Sequence, residues 1–212
     1  MTPTKPPKLK KPSQPPKSKA WDAPPFPEKG DDDERSTFEW VGRALSEWER
    51  FESFFGLSFG VFVGSYDGLA PAMRAYGAIV SFRGRLEMIK AAADAHFAKH
   101  PHGGTAIFKH ICEMAEGFSA RRNEIAHGVV QLYYPDGKQS SGSALGPSRH
   151  FTKKQKLTKK DGESMVTISP TYAYTAIELI RFTRDFHLLA QQTKGFHRNL
   201  AILLREKLKT SP

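Results

Sequence analysis

The chain has 212 residues, 39% of them apolar, which suits one well-packed domain and is short for two. Its lone Cys112 excludes an internal disulfide, and no uncharged apolar run reaches the length of a membrane span or a leader's apolar core. A reducing, cytoplasmic setting is therefore expected.

The formal charge of +10 is concentrated in two appendages. Residues 1–20 carry six Lys and no acid, residues 137–160 carry seven Lys or Arg and no acid, and the remainder sits near −3. Such stretches either hold a polyanion by releasing its counterions, which makes nucleic acid a partner to consider, or serve as solvated linkers.

Over residues 1–35 the text is mostly Pro, Lys and Ser. Trp21 and Phe26 offer too little apolar surface to offset the entropy of ordering the backbone, so a disordered Lys/Pro-rich arm is expected. Asp31, Asp32, Asp33 and Glu34 lead into Ser36, which fits a capping box with Glu39 three residues later. Phe38, Val41, Leu45, Trp48 and Phe55 then share one helical face, so the first helix is expected to run to about Phe55, with Gly56 as its stop.

Gly56, Gly60, Gly64 and Gly68 recur every fourth residue, as either a close-packed helix surface or a compact loop. The stretch lacks the Gly-Lys-Ser/Thr ending of a phosphate-holding loop. Helical spacing returns over residues 69–80 and again at Phe82, Leu86, Ile89, Ala93 and Phe97, giving two antiparallel helices that end before Pro101. A fourth is expected from about Thr105 to His127, with Ile107, Ile111, Met114 and Phe118 inward and a kink at Gly117.

After Gly128 the pattern changes. Residues 129–134 are β-branched and aromatic, Pro135-Asp136-Gly137 is a turn, and residues 165–168 form another strand. Residues 129–168 therefore read as a β-hairpin or small meander inserted between helices, with residues 139–148 as a mobile loop. Ser169 and Pro170 suit an N-cap and first helical residue. Residues 172–209 then hold helical spacing through Ala173, Ile177, Ile180, Leu188, Leu200 and Leu203, with a break at Gly195. The fold class expected is mainly α: a bundle of five or six helices over residues 36–212, with a basic β insertion.

One constellation carries chemistry. The last turns of the fourth helix read Ala120-Arg121-Arg122-Asn123-Glu124-Ile125-Ala126-His127-Gly128. Asn123 and His127 are i and i+4 and share a helix face, while Arg122 is long enough to curl toward the same spot. Cleaving RNA through its own 2′-hydroxyl needs a base, an acid and positive charge on the phosphate. Histidine serves as either acid or base, and a planar, forked guanidinium suits phosphate oxygens. If the helix stops at Gly128, the negative end of its dipole favours a protonated His127, which suits the acid.

This stretch resembles the signature of the HEPN superfamily: an Arg, a polar residue directly after it and a His a few residues on, often ending Ala-His-Gly. Arg122, Asn123 and His127 match it residue by residue, over about ten residues of the chain. The resemblance implies a helical bundle and a metal-independent endoribonuclease with no cofactor. Because one His supplies one proton role, it also implies a homodimer whose second chain supplies the other. It further implies a defence or toxin–antitoxin setting, with an antitoxin or regulatory protein as partner. The β insertion is no part of the minimal family fold. The same residues also admit a non-catalytic RNA-binding or dimerisation module, and a purely architectural reading in which Arg122 pairs with an acid such as Glu87 or Glu124 and His127 caps a helix end.

Beyond the motif, Arg121 and the basic run Lys153, Lys154, Lys156, Lys159 and Lys160 are the candidate RNA contacts. His96, His100 and His102 hold an i, i+4 pair with only Asp94 nearby, which reads as a helix end rather than a metal site. Ser81, Arg83 and Arg85 read as solvated surface or a phosphate contact. Arg181 and His187 read as helix surface, Cys112 as a small core residue, Trp40 and Trp48 as core, and Tyr133 and Tyr134 as candidates for stacking on bases.

Overall fold

The computed structural model describes residues 18–65, 70–101, 103–135, 139–148, 155–160, 163–168 and 170–210. Five helices, α1 (Glu34–Phe62), α2 (Ala70–Ala78), α3 (Phe82–Lys99), α4 (Gly104–His127) and α5 (Ala176–Thr210), form a bundle. Between α4 and α5 lie four strands, β1 (Gly128–Leu132), β2 (Ser143–Pro147), β3 (Gln155–Lys160) and β4 (Glu163–Ile168). The chain is mainly helical, as its periodicity predicts. No described helix is long and apolar enough to cross a membrane.

The two longest helices, α1 and α5, form the principal packed pair, and α3 and α4 close the core over them. Trp48 is fully buried, with the rings of Phe51, Phe82 and Phe186 edge-on at 5.1–5.2 Å. Further along, Phe55, Phe62, Phe97, Phe108 and Phe196 make a second aromatic layer. Edge-to-face pairs of this kind add to the burial of large apolar area.

Several boundaries differ from expectation. Asp33, not Ser36, caps α1, its carboxylate accepting from the Arg35 N–H at 3.0 Å, and Glu39 pairs instead with Arg43. Gly56 does not stop α1. A Cβ there would stand 3.1 Å from Met73 and Tyr76, so the missing side chain lets α2 pack closely, and the helix ends at Phe62 before Gly64 at φ 73°. Thus Gly56 and Gly60 lie in the helix, while Gly68 lies outside the described residues.

On α4, Ile111 and Phe118 are buried and Met114 packs against the core as expected, whereas Ile107 is exposed and Phe108 faces inward in its place; the helix runs unbroken through Gly117. On α5, Ile177, Ile180, Leu188 and Leu203 are exposed, while Leu179, Phe182, Phe186, Leu189 and Phe196 face inward. This helix starts at Ala176 rather than Pro170 and does not break at Gly195. Its start is set by Thr175, whose N–H donates to Glu178 at 2.8 Å, and by Asp31, whose carboxylate accepts from the Ala176 N–H at 2.8 Å. Ser169 lies outside the described residues.

The insert is two separate antiparallel ribbons, β1–β2 and β3–β4. Within residues 139–148, expected as a loop, residues 143–147 form a strand: β2 pairs with β1 on one edge and accepts bridges from Asp31 and Tyr174 on the other, burying Ala144 and Leu145. With hydrogen bonds on both edges, this short segment is the middle of a small sheet.

The disorder expected over residues 1–35 does not hold for residues 18–33. Residues 18–33 are placed, crossing from α4 to the sheet. The Trp21 ring meets Phe118 at 5.8 Å, Arg181 donates to the carbonyls of Ala20 and Asp22, and the Tyr133 hydroxyl donates to the Pro27 carbonyl at 2.7 Å. Residues 1–17 lie outside the described residues.

Candidate functional site

The end of α4 divides its residues between architecture and surface. Ile125 is buried in the core and anchors the last turn. Gly128 turns directly into β1, where a Cβ would stand 2.8 Å from the Leu145 side chain and the Glu124 carbonyl. The glycine that ends the motif thus has a packing reason: any side chain would push β2 off the helix end.

Arg121 and Glu124 also serve the fold. Arg121 binds Glu124 at 3.0 Å and the Tyr174 hydroxyl at 3.2 Å, and its side chain is only 13% exposed. The Tyr174 hydroxyl donates to the Glu124 carboxylate, and the Tyr172 hydroxyl donates to the Glu124 carbonyl at 3.0 Å, closing the carbonyl end of α4. Burial pushes the Glu124 carboxyl upward, against the pull of Tyr174 and Arg121. Burial, reinforced by the Glu124 charge, pushes the Tyr172 hydroxyl up to about 12 and raises Tyr174 as well. Arg121, expected to touch RNA, is therefore turned into this network.

Arg122, Asn123 and His127 remain. Arg122 Nη1 donates to Asn123 Oδ1 at 3.3 Å, which is the curl toward the Asn123 face that the sequence suggests. Its Nη2 stands 3.4 Å from Glu49 on α1, and its side chain is 25% exposed. Asn123 and His127 are both exposed, and His127 has no hydrogen-bond partner among the described residues. Arg122 does pair with an acid, as the architectural reading expects, but the acid is Glu49, which is 65% exposed, rather than Glu87 or Glu124. An exposed pair of this kind is weak, on the order of 0–1 kcal/mol, and an arriving phosphate can displace it.

The other candidates separate. Arg85 is not solvated surface: it forms an ion pair with the buried Glu52, which also accepts from Trp48 Nε1 at 2.6 Å, and its guanidinium lies over the Tyr76 ring. Ser81 caps α3, accepting from the Gly84 N–H at 3.1 Å. His187 binds Glu47 at 3.1 Å, and Arg181 holds the N-terminal segment. Tyr133 is buried rather than free to stack, while Tyr134 is exposed. Lys156, Lys159 and Lys160 lie on β3, opposite Thr167, Ser164 and Glu163 in register; Lys153 and Lys154 lie outside the described residues. His102 does too, and no group of three or more metal-ligating side chains converges among the described residues.

Sequence reasoning missed Glu49, Tyr172 and Tyr174. No local pattern marks Glu49, which meets Arg122 across 73 residues. A signal for the tyrosines did exist: Thr175-Ala176-Ile177-Glu178 is itself a capping box, and starting α5 there leaves Tyr172 and Tyr174 extended, where they stack at 5.1 Å beside α4.

No protein-family model matches the chain, and no curated protein or solved structure matches it.

Proposed function

We propose that the chain is a metal-independent endoribonuclease of the HEPN type, with RNA lying over the exposed C-terminal turns of α4. The observation that carries this reading is the Arg122–Asn123 contact beside an exposed His127: a guanidinium leaning toward the face that presents an imidazole, held only by an amide and a loosely paired acid.

In the reaction proposed, the RNA 2′-oxygen attacks the adjacent phosphorus, a base takes the 2′ proton, and the P–O5′ bond breaks as an acid protonates the leaving 5′-oxygen. Arg122 stabilises charge on the phosphate and Asn123 aligns it. His127, at the carbonyl end of α4, serves as the acid, and a second copy of the chain supplies the base. The cytoplasmic setting, defence or toxin role and antitoxin partner belong to this proposal.

The test is digestion of RNA by purified protein in EDTA. The wild type is expected to leave 2′,3′-cyclic phosphate ends, while His127→Ala and Arg122→Ala, shown folded by circular dichroism, are expected to lose cutting. Binding without cutting by the wild type would favour a non-catalytic RNA-binding module. Equal cutting by wild type and both variants would overturn the assignment of the site.

A further inference from the structure

Three acids on the middle turns of α1 meet side chains of other helices, and two of them are fully engaged. Glu47 binds Arg50 at 3.0 Å and His187 of α5 at 3.1 Å, and Glu52 is held by Trp48 and by Arg85 of α3. Glu49 differs. Its side chain is 65% exposed, its Oε1 makes one long contact of 3.4 Å to Arg122 Nη2, and its Oε2 has no hydrogen-bond partner among the described residues. The neighbouring cations are already bound, Arg85 by Glu52 and Arg50 by Glu47. Burial raises the Tyr76 hydroxyl of α2, with the charges of Glu52 and Glu49 adding, so it stays protonated. Among the described residues, Arg122 is thus the one cation that Glu49 meets.

Such an exposed pair adds little to stability, yet it sets a carboxylate with a free oxygen against the guanidinium assigned above to the phosphate. A phosphate that takes over Arg122 leaves this carboxylate beside it. Two like charges there weaken ground-state binding, and the conflict is relieved when the carboxylate takes a proton as negative charge builds on the phosphate. Cleavage also needs base and acid on opposite sides of the phosphorus, because the entering and leaving oxygens lie roughly in line. Arg122, where Glu49 reaches α4, and His127 are five residues apart on one unbroken helix, about 7.5 Å along its axis. That spacing lets the two groups flank a single phosphate.

We infer that Glu49 is the base of the proposed reaction, so that one chain holds the complete catalytic set. The inference rests on the ribonuclease reading and replaces only the second copy as the source of the base. The Glu49 carboxylate takes the 2′ proton as the 2′-oxygen bonds to phosphorus, and Arg122 holds the phosphate oxygens. His127 gives its proton to the 5′-oxygen as the P–O5′ bond breaks. The products are a 2′,3′-cyclic phosphate and a free 5′-hydroxyl, and exchange with water returns both side chains to their starting protonation.

The test compares cleavage of a defined single-stranded RNA in EDTA by full-length wild type and Glu49→Gln. Glutamine still offers Arg122 an acceptor but takes no proton. The expected result is a fall in kcat of about 10²- to 10³-fold without a rise in KM, disappearance of the rate loss at acid pH, and partial recovery in Glu49→Asp. Because the side chain is exposed, both variants are expected to unfold like the wild type. An unchanged kcat, a retained loss of rate at acid pH, or an effect carried by KM alone, which marks a mere support for Arg122, would overturn the inference. So would recovery of cleavage on mixing Glu49→Gln with His127→Ala chains, since base and acid would then act from different copies. Wild type and Glu49→Gln cutting equally well would sink this inference and leave the nuclease reading standing, whereas a wild type that never cuts RNA would sink both.

Discussion

Arg122 Nη1 donates to Asn123 Oδ1 at 3.3 Å, so the residue that follows the motif arginine is also the one that orients it. A guanidinium on a long side chain otherwise samples many rotamers, and holding it removes part of the entropy cost of meeting a phosphate.

Asn123→Ala is expected to leave stability nearly unchanged, because the side chain is exposed, and, on the proposed ribonuclease reading, to lower kcat about tenfold through loss of alignment. RNA cleavage kinetics beside urea unfolding check both parts. Unaltered kcat would remove Asn123 from the site.

The Glu52–Arg85 pair sets a buried carboxylate within the core. Glu52 is only 5% exposed at its side chain, and Arg85→Ala would leave its carboxylate with Trp48 Nε1 alone. The expected loss is about 3–5 kcal/mol, whereas replacing both partners by leucine should restore much of it. Urea midpoints of the two single variants and the double variant decide this, and a double variant no better than Arg85→Ala would refute it.

Alkaline pH should weaken the end of α4. Burial pushes the Tyr172 hydroxyl up to about 12, with the Glu124 charge adding and Arg121 opposing, whereas an unfolded tyrosine releases its proton near about 10. Between those values the unfolded state holds fewer protons than the folded one. The stabilisation is therefore complete below about pH 10 and is lost as pH rises toward 12. Tyr172→Phe is expected to flatten this decline and, at neutral pH, to cost about 1 kcal/mol for its bond to the Glu124 carbonyl. Unfolding free energies across the alkaline range measure it, and equal slopes for variant and wild type would contradict it.

Much of this protein is legible without coordinates. Apolar residues recurring at three and four mark every helix, and the exposed Asn123 and His127 follow from their i, i+4 spacing, because helix geometry is local. Even there, periodicity does not settle the face of α5: Leu200 is inward as expected, but Ile177 and Ile180, as apolar as the Leu179 and Phe182 that face the core, are exposed.

What only the tertiary structure decided joins distant residues. Asp31 caps α5 across 145 residues, Arg85 finds Glu52 across 33, and β2 becomes a central strand because Asp31 and Tyr174 bond its second edge. Each such group is ambiguous alone: an aspartate suits any cap, an arginine any surface, and a Ser-Gly-rich stretch any loop. The choice is made by desolvation, since a buried donor or acceptor is tolerated only where the assembled fold supplies its partner, and no local spacing records which partner that is.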